Sequence, residues 1–153
     1  MGTGIVVGIE GTPASRAALE WAFREGLARQ TPVTVVHAWA HGPGRDIQLA
    51  RASSCMVVAA VAEARRAVGG TPRVVERSRG GAAAKVLLDE AEGADLLVVG
   101  RGHRAGVVDV IGHSVSAEVV RHAPCPVVVV PGPPAEDPID LSDPAAVVGA
   151  TLG

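Results

Sequence analysis

Glycine, arginine and histidine residues crowd one short stretch of the chain, residues 100–114. The apolar run 96–99 comes directly before this stretch, and Ser114 precedes an apolar-periodic segment, as a helix cap would. Glycines let backbone N–H groups approach an oxyanion, a helix N-terminus adds partial positive charge, and guanidinium groups donate paired hydrogen bonds. The stretch therefore predicts an anion-binding loop between a buried strand and a helix. The residues that we expect at this loop are Gly100, Gly102, His103, Arg104, Gly112, His113, Ser114 and Val115.

Other chemical interpretations of the same stretch are weaker. Residues 100–105 match the dinucleotide-binding pattern G-x-G-x-x-A, but Arg121 and His122 stand about 20 residues on, where that pattern needs an acid. Residues 112–116 lack the final glycine of a hydrolase nucleophile elbow. The lysine of a Walker loop is absent, and the histidines show no metal-ligand spacing. We therefore expect neither a catalytic residue nor a metal site.

Apolar runs alternate with helix-periodic segments along residues 1–132. The predicted strands are 5–9, 33–38, 73–77, 96–99 and 127–130. Between them, Thr12 is expected to cap the first helix, and Gly69 and Gly70 to end the second. This alternation favours parallel strands joined by helical crossovers, and hence a single doubly wound α/β domain with helices on both faces.

The second predicted helix is the longest, and its apolar spacing suggests which side is buried. The inward stripe is expected to contain Leu49, Ala52, Met56, Ala60, Ala64 and Ala67. Met56 is then interpreted as a core residue.

Composition limits the classes of partner. Hydrophobic residues make up 48% of the 153 residues and aromatic residues 2%, so the core must be built from aliphatic side chains. The net charge of −2 gives no general attraction for nucleic acid. No apolar run approaches the roughly 18 residues of a membrane span, and no signal peptide is recognisable. We therefore expect a cytoplasmic protein with no membrane or nucleic-acid partner, whose isolated cysteines, Cys55 and Cys125, are buried thiols.

Residues 133–153 differ in composition from the domain before them, because prolines and acidic residues dominate. Such a segment is typical of a disordered tail. The alternative is that Ile139 and Leu141 dock on the domain or on a partner subunit.

Residues 5–15, 35–38 and 114–127, together with the glycine-rich loop, resemble the universal stress protein family over residues 5–132. The resemblance implies a five-stranded, Rossmann-like parallel sheet of order 3-2-1-4-5. Ligands of such sheets bind where the strand order reverses, which here lies between the first and fourth strands. In the nucleotide-binding branch, a loop of Gly, two residues, Gly, nine residues, Gly and then Ser or Thr holds the phosphates of ATP.

The present loop departs from that signature, since one residue separates Gly100 from Gly102 and His113 stands between Gly112 and Ser114. The resemblance implies that these glycines and Ser114 contact phosphate. It also implies that Glu10, where the family usually has Asp, and the backbone of Ala38 contact the nucleoside, with Val99 as their apolar neighbour.

The function that the resemblance implies is a stress-response sensor or regulator that binds ATP, with or without Mg²⁺, and hydrolyses it slowly or not at all. A homodimer formed through the last strand is also implied. The alternative is a relative that binds no nucleotide and serves as a dimeric interaction scaffold.

Overall fold

The computed structural model describes residues 2–101 and 114–133, in which strands and helices alternate. The strands are β1 Ile5–Gly8, β2 Val33–Trp39, β3 Val74–Gly80, β4 Leu96–Gly100 and β5 Val127–Val130. The helices are α1 Pro13–Arg29, α2 Asp46–Val68, α3 Ala83–Glu90 and α4 Val115–His122. Each strand and helix expected from the sequence is present, although β3 continues beyond residue 77, where it was expected to end.

The five strands form one parallel sheet in the order β3-β2-β1-β4-β5. β1 lies in the middle, between β2 and β4. After β3, the chain crosses to the other side of β1, so the strand order reverses between β1 and β4. The predicted doubly wound α/β fold with this strand order is confirmed.

Helices cover both faces of the sheet, and each face has its own apolar cluster. The layer under α1 and α2, here the α1/α2 layer, contains Ile5, Val7, Ile9, Leu19, Phe23, Val33, Val35, Val57, Val61 and Val98. The layer under α3 and α4, here the α3/α4 layer, contains Val6, Val36, Val86, Leu87, Leu97, Val99 and Val119. Successive strand residues alternate between the two layers, as the pleat of a strand requires.

Local sequence signals set the helix ends. Thr12 Oγ1 accepts a hydrogen bond from the Ser15 N–H, and Ser15 Oγ accepts one from the Thr12 N–H, both at 3.2 Å. This reciprocal capping box begins α1, as the sequence predicted at Thr12. Gly69 ends α2 in the left-handed conformation, with φ +74°, which glycine adopts at least cost. Ser114 caps α4 by accepting from the Ala117 N–H at 3.1 Å.

The buried side of α2 differs from the expected one. The buried residues are Ser53, Val57, Val61 and Ala64, of which only Ala64 belongs to the expected stripe. Met56 is only partly buried, so its interpretation as a core residue was wrong in this respect. The buried stripe is displaced by about one residue, or roughly 100° around the helix. Alanines bury little apolar area, so the two valines decide which side of the helix faces the sheet.

The cysteines also differ from expectation. Cys55 is exposed on α2, and Cys125 is partly buried before β5. Burial raises the pKa of the Cys125 thiol, and the negative charges of Asp95 and Glu92 raise it further. The expectation of buried thiols is therefore wrong for Cys55 and only partly met by Cys125.

The length and mean hydropathy of α2 alone would allow it to cross a membrane, since its most apolar window averages 1.3. Apolar core helices satisfy the same criterion. In this domain, Val57 and Val61 pack in the α1/α2 layer, whereas Ile47 and Val58 are exposed, so only part of the apolar surface of the helix contacts the sheet.

Candidate functional site

The carboxyl ends of β2, β1 and β4 lie side by side and bring together the residues expected to contact a nucleoside. Glu10 follows β1, Ala38 lies near the end of β2, and Val99 and Gly100 end β4. Val99 is buried in the α3/α4 layer, and Ala38 and Val115 pack against the same cluster. We call this place the switch-point crevice.

The main chain of Ala38 faces this crevice. The Ile9 N–H donates to the Val36 carbonyl at 2.9 Å, whereas the Trp39 carbonyl accepts on the β3 side, from Gly81. Peptide groups alternate sides along a parallel strand, so the N–H and C=O of Ala38 point to the β1 side, as Val36 does. β1 ends at Gly8, and within residues 2–101 and 114–133 no backbone hydrogen bond joins Ala38 to the turn that follows β1. A peptide donor and acceptor therefore remain available to a ligand.

Glu10 is exposed at the end of β1, and its carboxylate is held at the start of α1. Thr12 Oγ1 donates to Glu10 Oε1 at 3.2 Å, and the Glu10 N–H donates to Ser15 Oγ at 3.2 Å. The capping box thus fixes the turn that carries Glu10. Because an ionised carboxylate accepts several hydrogen bonds, Glu10 retains capacity to accept from a ligand hydroxyl.

Gly100 has a packing reason to be glycine. A Cβ at this position would lie 2.6 Å from the Ala14 carbonyl carbon and 2.7 Å from the Ser15 nitrogen. These are backbone atoms of the first turn of α1, which cannot turn aside as the tip of a side chain can. The close approach of β4 to α1 therefore requires glycine here, whether or not a phosphate binds.

The predicted phosphate-binding residues are only partly covered by the structure. Ser114 and Val115 lie at the start of α4, and Ser114 Oγ is 3.2 Å from Ser116 Oγ. The capping bond to Ser114 uses one of its lone pairs, so the hydroxyl can still donate to an anion. The residues expected to complete the loop lie outside the described residues: Gly102, His103, Arg104, Gly112 and His113.

A cavity of about 130 Å³ lies between α1 and α2, beside the turn that carries Glu10. Ile9, Leu19 and Met56 contribute apolar walls, and an Arg16–Glu63 ion pair of 3.4 Å also lies at its surface. Ligand pockets usually exceed about 300 Å³. This cavity is too small for a whole nucleotide and lies on the opposite face of the sheet from Val99.

Sequence reasoning missed a polar network on the α1/α2 side of β2, which we call the Ser–His chain. It consists of His37 on β2, Ser53 on α2 and Ser78 on β3. His37 Nδ1 is 2.6 Å from Ser53 Oγ, and Ser78 Oγ donates to Ser53 Oγ at 2.7 Å. Strand alternation could have revealed it, since His37 shares a side with the buried residues Val33 and Val35.

The environment of His37 and Ser53 favours a structural role over a catalytic one. Burial lowers the pKa of the His37 imidazole, and the negative charge of Glu10 opposes this effect in part. Ser53 is almost completely buried, so its hydroxyl cannot reach a substrate in solvent. A nucleophilic serine would need an open approach.

Comparison with known sequences relates the chain to one family. The sequence model of the Universal stress protein family matches residues 3–131. Universal stress protein Rv2623 of Mycobacterium tuberculosis is 32% identical over an alignment of 147 residues, which covers 83% of this chain and 47% of that protein. A universal stress protein of Mycolicibacterium smegmatis is 29% identical and is covered to 48%. The chain spans about half the length of the curated relatives it matches.

Solved structures give the same relationship. A universal stress protein in complex with cAMP has a TM-score of 0.64 and 27% identity, with 84% of this chain and 96% of that chain covered. The Archaeoglobus fulgidus universal stress protein in complex with dAMP has a TM-score of 0.61 and 25% identity, with 84% and 97% covered. The family model matches residues 3–131, and the strand order is the one expected for this family. This chain therefore belongs to the universal stress protein family.

Proposed function

We propose that this protein binds an adenine nucleotide, ATP, in the switch-point crevice and acts as a stress-response sensor or regulator. The observation that carries the proposal is the Ala38 peptide, whose N–H and C=O face the crevice beyond the end of β1. A purine base offers a donor and an acceptor that can pair with such a peptide. Relatives with bound cAMP and dAMP support this assignment.

The remaining crevice residues suit the other parts of a nucleoside. Val99 provides an apolar surface beneath the base, and the Glu10 carboxylate can accept from a ribose hydroxyl. The phosphates would extend past Gly100 toward Ser114, where a helix N-terminus and a hydroxyl favour negative charge. Mg²⁺ would enter with ATP as a phosphate-bound ion.

Regulation fits the site better than efficient catalysis. Among the residues that the structure describes, the one serine bonded to a histidine is Ser53, which is buried and lies on the face of the sheet away from Val99. Slow hydrolysis or none is the expected behaviour. We place the protein in the cytoplasm, with a nucleotide and a second copy of the chain as its partners.

Thermal unfolding with ATP and Mg²⁺ tests the nucleotide site. Ligand at a hundred times its Kd adds about 2.7 kcal/mol to the free energy of unfolding. For a domain of this size, we expect Tm to rise by roughly 5–10 °C. An unchanged Tm at millimolar ATP would refute the proposal.

Variants at Glu10 test its placement. Glu10→Gln removes the charge and should weaken binding, whereas Glu10→Asp restores the residue usual in the family and should tighten it. Glu25→Gln is the matched control, because Glu25 pairs with Arg29 on α1, away from the crevice. Equal ATP affinity in all three variants, measured by calorimetry, would place Glu10 outside the site.

The exposed edge of β5 favours dimerisation and supports the second candidate function, a dimeric scaffold that binds no nucleotide. Val129 on β5 is 38% exposed and Val120 on α4 is 55% exposed. A groove of about 540 Å³ lies along these residues and Pro131. Among residues 2–101 and 114–133, β5 is an edge strand with β4 as its one partner, and such an edge offers backbone groups to a second copy.

Light scattering at micromolar concentration tests the dimer. We expect wild type to be dimeric and Val129→Lys to be monomeric, because the lysine would place a charge in the apolar contact. Glu76→Gln, on the opposite edge strand β3, should leave the dimer intact. A monomeric wild type would refute the dimer, whereas a dimer with no ATP-induced rise in Tm would favour the scaffold.

A further inference from the structure

The two halves of α2 are held to the sheet by different chemistry. In the C-terminal half, Val57 and Val61 bury apolar side chains. Within residues 46–56, all of which the structure describes, Ser53 is the only buried residue, and Ile47 is 73% exposed. Leu49, Ala50 and Met56 are partly buried in this half, so Ser53, whose hydroxyl is hydrogen-bonded to His37, is its one fully buried attachment to the sheet.

The direction of the hydrogen bonds in the Ser–His chain depends on the protonation of His37. Ser78 donates to Ser53 Oγ at 2.7 Å, which leaves the Ser53 hydroxyl proton to donate across the 2.6 Å to His37 Nδ1. Nδ1 accepts only in the neutral ring, whose proton then lies on Nε2. In this arrangement the Ser78 and Ser53 hydroxyls both donate within the Ser–His chain, and His37 Nδ1 accepts.

A proton on Nδ1 would disturb this arrangement. The ring would then donate to Ser53 Oγ, and the Ser53 proton would have to turn away from His37. If it turned toward Ser78, the hydrogen bond between the two serines would reverse and the Ser78 proton would lose its acceptor. Leaving a buried donor without its partner is costly. An imidazolium would also be a charge on a partly buried strand, where burial already lowers the pKa of His37.

We infer that neutral His37 anchors the N-terminal half of α2 to the sheet through Ser53, and that acid releases this half. Residues 40–45, which join the end of β2 to the start of α2, would be released together with this half of the helix. This loop begins two residues after Ala38. The effect on nucleotide binding rests on the proposed function, whereas the anchor itself does not.

Charged and polar groups reach His37 from each neighbouring element. Glu10 approaches from the turn after β1, Ser53 from α2 and Ser78 from β3. Of these, only Glu10 carries a charge, and it favours the imidazolium. Burial outweighs this attraction, so release is expected in mildly acidic solution rather than at neutral pH.

A second histidine lies near α2 but does not contact Ser53. His41 Nδ1 is 3.4 Å from Asp46 Oδ2 in the first turn of the helix. Both side chains are largely exposed, so the pair contributes little to holding the helix. His41→Asn is therefore the matched control for His37.

Hydrogen exchange of the full chain without nucleotide tests the anchor at pH 7.5 and 5.5, after correction for intrinsic exchange rates. We expect the protection factors of the amides in residues 46–56 to fall about tenfold at the lower pH. A change of this size corresponds to the loss of about one buried hydrogen bond. Amides of residues 57–68 should keep theirs. Equal protection of both halves at both pH values would overturn the proposal.

Four variants separate the anchor from general acid sensitivity. In His37→Asn, the amide oxygen can still accept from Ser53 but cannot titrate, so the loss of protection on acidification should disappear. In Ser53→Ala, the N-terminal half should exchange rapidly at both pH values, with Ser78→Ala as a milder form of the same defect. His41→Asn should behave as wild type. Retention of the pH effect in His37→Asn, or its loss in His41→Asn, would overturn the proposal.

The consequence for the nucleotide is read from the ratio of ATP affinities of wild type and His37→Asn at the two pH values. Protonation of ATP changes the affinities of both proteins equally, so its effect cancels in this ratio. We expect wild type to lose severalfold more affinity than the variant on acidification. If neither protein binds ATP, the proposed function fails while the exchange result still decides the anchor.

Discussion

The two faces of the sheet differ in what fills them. The α1/α2 layer contains Phe23, Leu19 and Ile5, all fully buried, and it also carries the Ser–His chain. The α3/α4 layer is built mainly from valines and alanines and ends at Ala38 and Val99 in the switch-point crevice. The comparison indicates that Phe23 and two isoleucines distinguish the α1/α2 layer, whereas the α3/α4 layer contains no side chain larger than leucine among the buried residues of its cluster.

The largest expected effect tests whether stability is concentrated on the α1/α2 side. Phe23→Ala should lower the free energy of unfolding by about 3–5 kcal/mol, because it removes the largest fully buried side chain and leaves a cavity. Val119→Ala, at the centre of the α3/α4 layer, should cost only about 1.5–3 kcal/mol. Urea unfolding measures both. An equal loss in the two variants would contradict the comparison.

Two glycines provide a second pair of variants. Gly100→Ala places a Cβ 2.6 Å from backbone of α1 and should cost about 1–3 kcal/mol. Gly8→Ala meets the two Cδ methyl groups of Leu87, at 2.8 and 2.9 Å, and a side chain can shift where backbone cannot, so a smaller cost, of about 1 kcal/mol, is expected. Thermal unfolding measures the loss of stability in both variants. If Gly8→Ala lost as much stability as Gly100→Ala, the α3/α4 layer would be the less adaptable one.

The helix caps compare the two faces at the crevice itself. Thr12→Ala on α1 and Ser114→Ala on α4 each remove a side-chain cap and should cost about 1 kcal/mol. Their effects on ATP affinity should differ, because Thr12 holds Glu10 while Ser114 is proposed to contact phosphate. We expect Ser114→Ala to weaken ATP more than AMP, and Thr12→Ala to weaken both equally. Calorimetry with ATP and AMP measures these affinities. If Thr12→Ala weakened ATP more than AMP and Ser114→Ala weakened both equally, the phosphate contact would be assigned to Thr12 instead of Ser114.

The smallest expected effect is the pH dependence of stability due to His37. Its pKa is lowered in the folded protein, so the unfolded chain binds more protons in mildly acidic solution. The stabilising contribution is therefore fully present above the unfolded value of about 6.5 and is lost as pH falls through the lowered folded pKa. Urea midpoints between pH 5 and 8 should fall less steeply in His37→Asn than in wild type. His122→Asn, at the exposed end of α4, is the control, and a slope changed equally by both substitutions would contradict the assignment.

Much of the fold could be predicted because its signals are local. Four consecutive β-branched residues, as in Val127–Val130, favour a strand. Thr12 marks a helix start through its side-chain hydroxyl, and Gly69 marks a helix end through its left-handed backbone. The rotation of α2 was missed because it depends on which side chains meet β2 and β3. Met56 and Val57 differ by one position along the helix, and only contact with the sheet separates them.

The candidate site was predictable in its parts but not in its arrangement. Glu10, Ala38 and Val99 could be identified by their places in a family pattern, each at the end of an apolar run. The sequence did not predict the hydrogen bond from Thr12 to Glu10 or the steric need for glycine at position 100. Both depend on atomic positions that the packing of the turn and α1 sets.

By itself, the sequence determined the alternation of strands and helices, the caps and the family, because these depend on residue types and on spacing along the chain. Only the tertiary structure decided that the Ala38 peptide faces a gap beside the end of β1, and that a histidine and two serines meet between β2, α2 and β3. Hydrogen bonds between distant segments need ångström-level positions, which packing supplies and composition does not.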